Sequence, residues 1–226
     1  MQRARNLLTP EEREKINQAV AEAEKQTAGE IIPVLATASG RYDRAEDLAG
    51  FLIALGTLTA SWLAFQRVVP LGGDWADGFW LTLRLRWVLL ILIGGFILGT
   101  ALASRVGWMR RLLVRQREMR EEVERAAWET YSRMRVGRTA GGTGILLYVS
   151  LFERMVCVLG DEPIAQKLGQ EAWDEVRDLI LTAIREKRPA DGFCRAIRRC
   201  GELLGQHFPL PPGDVNELPN ELRILD

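Results

Sequence analysis

The sequence predicts an α/β fold: a water-facing domain of amphipathic helices and short strands, interrupted near its middle by two apolar helices. Three observations carry that prediction. Residues 48–65 and 87–103 are both free of charge, and as helices they run about 26–27 Å at ~1.5 Å per residue, close to a ~30 Å hydrocarbon core. Helical and strand periodicities appear on both sides of this pair. The charge is blocked rather than spread, with 30 Lys and Arg balancing 30 Asp and Glu.

That balance argues against a protein devoted to electrostatic capture of nucleic acid. Three widely spaced cysteines, Cys157, Cys194 and Cys200, do not form the even framework of a disulfide-stapled domain, and a reducing compartment suits them better. The opening MQRARNLLTPEER reaches only two leucines before Thr9 and Pro10, too few for a signal-peptide apolar core. The first long apolar segment is then expected to act as an uncleaved internal anchor.

Thr9, Pro10 and Glu12 form a capping-box start. A helix to about Lys25 follows, with Ile16, Ala19, Val20 and Ala23 along one face. Gly29 ends it, and Glu30 to Ala36 (EIIPVLA) reads as a strand that Pro33 pushes toward an edge or irregular position.

Two apolar segments come next, LAGFLIALGTLTASWLAF and WVLLILIGGFILGTALA. A soluble remainder of this size would struggle to cover two helices apolar on every side, so they are read as a transmembrane hairpin spanning residues 46–104. Trp62, Trp80, Trp87 and Trp108 fall near the four expected interfaces. The connection QRVVPLGGDWADG, with Pro70, Gly72 and Gly73, reads as a loop.

Beyond Ala103 a basic helix is expected to continue to about Arg135, with Leu112, Met119, Val123, Ala127 and Tyr131 as its inner stripe. Gly141, Gly142 and Gly144 end it. GILLYVS and MVCVLG then form an antiparallel hairpin turning at Phe152, Glu153 and Arg154. Two amphipathic helices follow, marked by Trp173, Val176, Ile180 and Ile184 and by Phe193, Ile197, Cys200 and Leu204. The tail from Pro209, with Pro211, Pro212, Gly213 and Pro219, is expected to be extended and only partly ordered.

With these elements in this order, the chain resembles the TPM domain family, named for thylakoid lumen, photosystem repair and nicotinic receptor accessory proteins, in a bacterial membrane branch. The resemblance rests on LTPEEREKI, TAGEIIPVLA, RTAGGTGILLYVSLFERMVCVLGDEPIAQKL, Trp173 and ADGFCRAIRRCGELLGQHFP. It implies an α/β/α sandwich with a small mixed sheet, assembled from residues 1–45 and 105–208, the hairpin being inserted between them and residues 209–226 forming an extended tail. It also implies phosphatase activity, divalent-metal binding or a part in maintaining membrane complexes. The split between halves has independent support, because one helix and one strand before residue 45 cannot bury their apolar faces alone.

The residues themselves say less about chemistry. GRTAGGTG, Gly137 to Gly144, precedes a strand rather than opening a helix and lacks the Walker lysine, so a plain turn is the favoured reading. His207 is the only histidine and ends a packing helix, and the cysteines sit on strand or helix stripes where thiols usually behave as small buried hydrophobes. Zinc needs tighter pairs than these. Cys194 and Arg199 stand one residue too close together for a cysteine-phosphatase loop, and no Asp-x-Asp is present.

The best remaining acidic set is Asp161 and Glu162 at the end of a strand, with Glu30 or Asp43 as partners from the first half and carbonyls from Gly141 to Thr143. These are the oxygen ligands that calcium or magnesium prefers, although solvated turn charges explain the same residues. Two function classes follow: a non-catalytic interaction module for membrane complexes, or a metal-assisted phosphoester hydrolase.

Seven arginines flank the hairpin on the terminal side (Arg41, Arg44, Arg105, Arg110, Arg111, Arg115, Arg117) against Arg67, Arg84 and Arg86 in the connection. The positive-inside rule therefore places the α/β domain in the cytoplasm. Arg105, Arg110, Arg111, Arg115 and Arg117 precede any acid until Glu118 and are expected to contact anionic lipid headgroups, at about 1 kcal/mol each near such a surface, or else simply to set topology.

Overall fold

The computed structural model describes residues 3–65, 67–70, 77–80, 84–139, 141–213 and 216–226. In chain order its elements are α1 (Pro10–Glu24), β1 (Glu30–Ala36), α2 (Asp43–Phe65), β2 (Arg67–Pro70), β3 (Asp77–Trp80), α3 (Leu85–Arg105), α4 (Gly107–Leu113), α5 (Gln116–Arg133), β4 (Gly144–Ser150), β5 (Met155–Gly160), α6 (Glu162–Lys167), α7 (Gln170–Arg185), α8 (Pro189–His207) and β6 (Arg223–Leu225). The chain is a mixed α/β protein that divides into two units, residues 41–115 and residues 2–40 with 116–226.

The α/β unit is built on a four-stranded mixed sheet ordered β5-β4-β1-β6. β1 and β4 run parallel with Glu30 opposite Gly144 and Ala36 opposite Ser150, while β5 returns antiparallel to β4. Alternation along the strands sends successive side chains to opposite faces. Ile31, Leu35, Ile145 and Leu147 join Ile16 and Val20 of α1, Val176 and Ile180 of α7 and Phe193, Ile197 and Leu204 of α8. On the other face Ile32, Val34, Leu146 and Tyr148 meet Val123, Ala127 and Tyr131 of α5. The capping box at the start of α1 forms as read: Thr9 Oγ1 accepts from the Glu12 amide at 3.2 Å, and Glu12 Oε2 accepts from the Thr9 amide at 2.8 Å.

Three expectations are refined here. β1 is an inner strand only in part, because β6 covers its outer side from Val34, paired with Arg223, to Ala36, paired with Leu225, and does not reach Pro33. The Glu30 amide bonds Thr143 and the Thr37 amide bonds Leu225, so along β1 the odd positions face β6. The N–H that Pro33 lacks would therefore point to that side, just below the point where β6 begins. The tail, read as partly ordered, is extended but closes the sheet through β6. A short helix, α6, also stands between β5 and α7, opened by Pro163 in its first turn.

In the other unit, α2 and α3 pack as an antiparallel pair, and both are long and apolar enough to cross a membrane. Small residues line the contact. A Cβ on Gly99 would lie 2.7 Å from Gly50 Cα, and one on Gly95 would lie 2.8 Å from Ala54 Cα. The large apolar side chains point away: Leu63 is 63% exposed, Ile97 61% and Phe51 59%.

The connection read as a loop contains the antiparallel pair β2–β3, Arg67 opposite Trp80. Gly72, Gly73 and the side chain of Trp80 lie outside the described residues. The single basic helix expected after Ala103 is instead three helices, interrupted at Val106 (φ −104°, ψ 85°) and Val114 (φ −93°, ψ 132°). Both breaks fall at β-branched residues in non-helical conformations. Met119, Val123, Ala127 and Tyr131 form the inner stripe, but Leu112, on α4, is 75% exposed.

Candidate functional site

The structure aligns the predicted acidic residues at one end of the sheet, where β1 and β4 begin and β5 stops. Glu30 lies opposite Gly144, and the Asp161 amide donates to the Gly144 carbonyl at 3.1 Å. β4 separates Glu30 from Asp161, so their strands stand about 10 Å apart. The glycine is required there, since a Cβ on Gly144 would sit 2.2 Å from the Val136 carbonyl oxygen.

Both oxygens of Asp161 are engaged by the chain itself. Oδ1 accepts the Tyr131 hydroxyl, and Oδ2 accepts the Gly144 amide at 3.0 Å. The Tyr131 hydroxyl is pushed above its usual pKa by burial and by the Asp161 carboxylate. Glu162 is exposed and accepts from Gln166 one turn on. Glu30 is buried, and its Oε1 accepts the amide of Glu217 from the tail at 3.0 Å. Asp43 belongs to the other unit.

The loop before β4 is a stapled turn: the Thr143 amide donates to Thr139 Oγ1 at 2.9 Å, the Thr143 hydroxyl to the Ala28 carbonyl at 2.7 Å, and Gly142 adopts φ +58°. Among the described residues no three His, Cys, Asp or Glu side chains gather in a group that could hold a metal ion. Asp161 acts here as an internal acceptor for Tyr131 and Gly144.

Two carboxylates escaped the sequence reading. Glu24, at the end of α1, accepts the Ile31 amide at 2.9 Å, and burial together with the nearby Glu30 charge pushes its carboxyl up to about 8. Glu153, taken as a turn residue, is 1% exposed at the opposite end of the sheet. It accepts the Ser39 amide at 2.9 Å, the Gly40 amide at 3.3 Å and the Ser150 hydroxyl, and Arg154 beside it takes a left-handed conformation (φ 56°). Neither belongs to a recognisable motif: Glu24 meets Ile31 across the turn from α1 to β1, and Glu153 meets Ser39 and Gly40 across more than 100 residues.

Of the three thiols Cys200 is buried, and Cys157 and Cys194 are half-buried. Burial raises Cys157 to about 11 and Cys200 to about 12, and moves Cys194 in the same direction. His207 is exposed at the end of α8, where its carbonyl accepts Lys167 Nζ at 3.3 Å while the ammonium lies 4.4 Å from the centre of the Phe208 ring. A shallow groove of about 480 Å³ runs between α1 and α8, lined by Lys15, Glu22, Cys194, Arg198 and Glu202 among others.

Of the arginines after the hairpin, Arg105 and Arg115 are exposed and Arg111 is half-buried. Arg110 is turned inward onto Glu46 at 2.9 Å, with side chains only 16% and 22% exposed, and Arg117 pairs with Glu121 at 2.8 Å. The headgroup-contact set is thus divided, with Arg110 and Arg117 engaged with carboxylates.

No protein-family model matches the chain, and no curated protein sequence matches it. Among solved structures, the NMR structure of the BA42 protein from the psychrophilic bacterium Bizionia argentinensis is similar, with a TM-score of 0.54 over 96% of this chain and 94% of that one. At 18% identity the likeness concerns the fold alone.

Proposed function

We propose that the chain is a membrane-anchored protein of TPM-domain type: an α/β/α sandwich interrupted by a two-helix transmembrane hairpin, with its α/β unit in the cytoplasm and serving as a non-catalytic interaction or maintenance module for membrane complexes. The observation that carries the reading is the surface of α2 and α3, where small residues meet inside and Leu, Ile and Phe face outward along both helices. Water penalises such a surface, whereas acyl chains accept it without cost. The engagement of Asp161 and Glu30 with backbone amides supports the non-catalytic part, because these carboxylates stabilise the fold they sit in.

The alternative is a metal-assisted phosphoester hydrolase using calcium or magnesium at Asp161, Glu162 and Glu30. It draws on Glu30 and Asp161 lying at the same end of the sheet. One experiment separates the two. Full-length protein in nanodiscs is titrated calorimetrically with calcium and with magnesium and assayed for phosphoester turnover, beside an Asp161→Asn, Glu162→Gln double variant. The interaction-module reading expects no turnover above background and a set of membrane proteins co-purifying from native membranes. Metal-dependent turnover that disappears in the double variant overturns it. Resistance of the protein to alkaline extraction from membranes tests the anchor separately.

A further inference from the structure

We infer that α4 is an interfacial foot: a short helix lying in the headgroup layer where α3 leaves the membrane, held by the Arg110–Glu46 pair and dipping Trp108 and Leu112 into an anionic bilayer surface. This rests on the membrane reading of α2 and α3, and the experiment below keeps the two separable.

α4 is an element in its own right. Val106 breaks it from α3 and Val114 ends it before α5, so its seven residues are not simply the tail of a spanning helix. It packs on both α2 and α3. Because Gly99 meets Gly50 and Gly95 meets Ala54, the start of α2 and the end of α3 lie at the same end of the pair, and Glu46 in the first turn of α2 is in place to receive Arg110.

With Arg110 turned inward, the opposite face of α4 is fixed outward. Trp108 and Leu112, four residues apart and so on one side of the helix, are 67% and 75% exposed. An outward Trp and Leu immediately beyond an apolar helix is the pattern of an interfacial segment, with the indole at headgroup level.

The charge at this end names the occupant. Six arginines (Arg41, Arg44, Arg105, Arg110, Arg111, Arg115) stand against three acids (Asp43, Glu46, Asp47) over residues 41–47 and 104–115. The exposed Arg105 and Arg115 bracket α4, with no acid between them. Arginines so placed beside an apolar face suit lipid phosphates, and they lie continuous with the surface α3 presents to acyl chains. The foot sets depth. Moving the hairpin outward would lift Trp108 and Leu112 into water, and moving it inward would drag Arg105 and Arg115 toward hydrocarbon.

The test places an environment-sensitive fluorescent amino acid at position 108, 112, 97 or 25 of the full chain. Each protein is examined in nanodiscs of phosphatidylcholine with and without phosphatidylglycerol, with nitroxide lipids of known depth and aqueous iodide as quenchers. Positions 108 and 112 are expected to be quenched by shallow nitroxides and shielded from iodide, position 97 by deep nitroxides only, and position 25 by iodide only. The Arg105→Gln, Arg115→Gln variant should lower phosphatidylglycerol enrichment around the protein by up to about fivefold per arginine. If 97 is quenched by lipid but 108 and 112 respond to iodide alone, or to neither quencher as under a protein partner, the foot is wrong and the anchor stands. If iodide reaches 97 as well, the anchor itself fails.

Discussion

The Glu24 carboxylate accepts the backbone N–H of Ile31 at 2.9 Å, on the stretch of β1 that β6 does not reach. A side chain thus stands in for a missing strand, and its burial has a pH consequence. The carboxyl titrates at about 8 in the folded protein against 4.5 for an unperturbed Glu. The folded state then holds a proton that the unfolded chain has released between those values, so this contribution to stability is full below pH 4.5 and is lost as pH rises through 8. Glu24→Gln keeps the acceptor oxygen and cannot ionise. Its melting temperature should match that of the parent near pH 5 and exceed it at pH 9; an offset that does not change with pH would refute the assignment.

Tyr131 and Gly144 both donate to Asp161, tying α5 and the start of β4 to the end of β5. Asp161→Ala strips the acceptor from both donors and should destabilise the α/β unit by about 2–3 kcal/mol, while Tyr131→Phe, which removes one donor, should cost about 1–2 kcal/mol. Denaturant unfolding in detergent, followed by circular dichroism, measures both. A structural Asp161 predicts that the two losses are far from additive, since the alanine variant already lacks the tyrosine's partner.

The hairpin offers an internal control. A side chain on Gly99 would meet Gly50 Cα, whereas nothing lies within 4 Å of a Cβ on Gly94. Gly99→Leu should wedge α2 from α3 at a cost of about 1–3 kcal/mol, and Gly94→Leu should be tolerated. Thermal unfolding in micelles tells them apart, and equal sensitivity at both positions would mean that the two helices do not meet along this face.

Orientation can be read without the native thiols, of which Cys200 is buried and Cys157 half-buried. A cysteine replacing Lys25, whose side chain is 66% exposed, should react with an impermeant maleimide only after lysis if the α/β unit faces the cytoplasm. Labelling in intact cells would reverse the topology.

What the sequence discloses here is mostly local. Thr9, Pro10 and Glu12 announce α1, and the two uncharged segments announce α2 and α3, because capping and apolar runs act within a few residues. Gly144 to Gly160 is legible as a hairpin for the same reason. Pro33 tells only part of the story: its missing N–H falls where β1 is open, while the residues just after it pair with β6, almost 200 residues away. Val106 and Val114 hide two helix breaks, since β-branched residues also occur within helices. The site was half visible: Asp161 and Glu30 do come to one end of the sheet, but their engagement with Tyr131, Gly144 and Glu217 is set by tertiary contacts that carry no local pattern.

The interrupted α/β unit has a consequence for the order in which the protein is made. β1 leaves the ribosome more than 100 residues before β4, the strand it pairs with along its whole length. Until then α1 and β1 have an apolar face and no partner, and closing so long a connection unaided carries an entropy cost that grows with its length. Residues 43–105 remove most of that span from the search, because α2 and α3 fold back on each other as a pair and return the chain to the end from which it set out. The apolar hairpin is therefore also a folding device: assembly of its two helices turns a distant strand pairing into a nearby one, and a variant that slows hairpin formation should leave the first 40 residues protease-sensitive during synthesis even when the finished protein is stable.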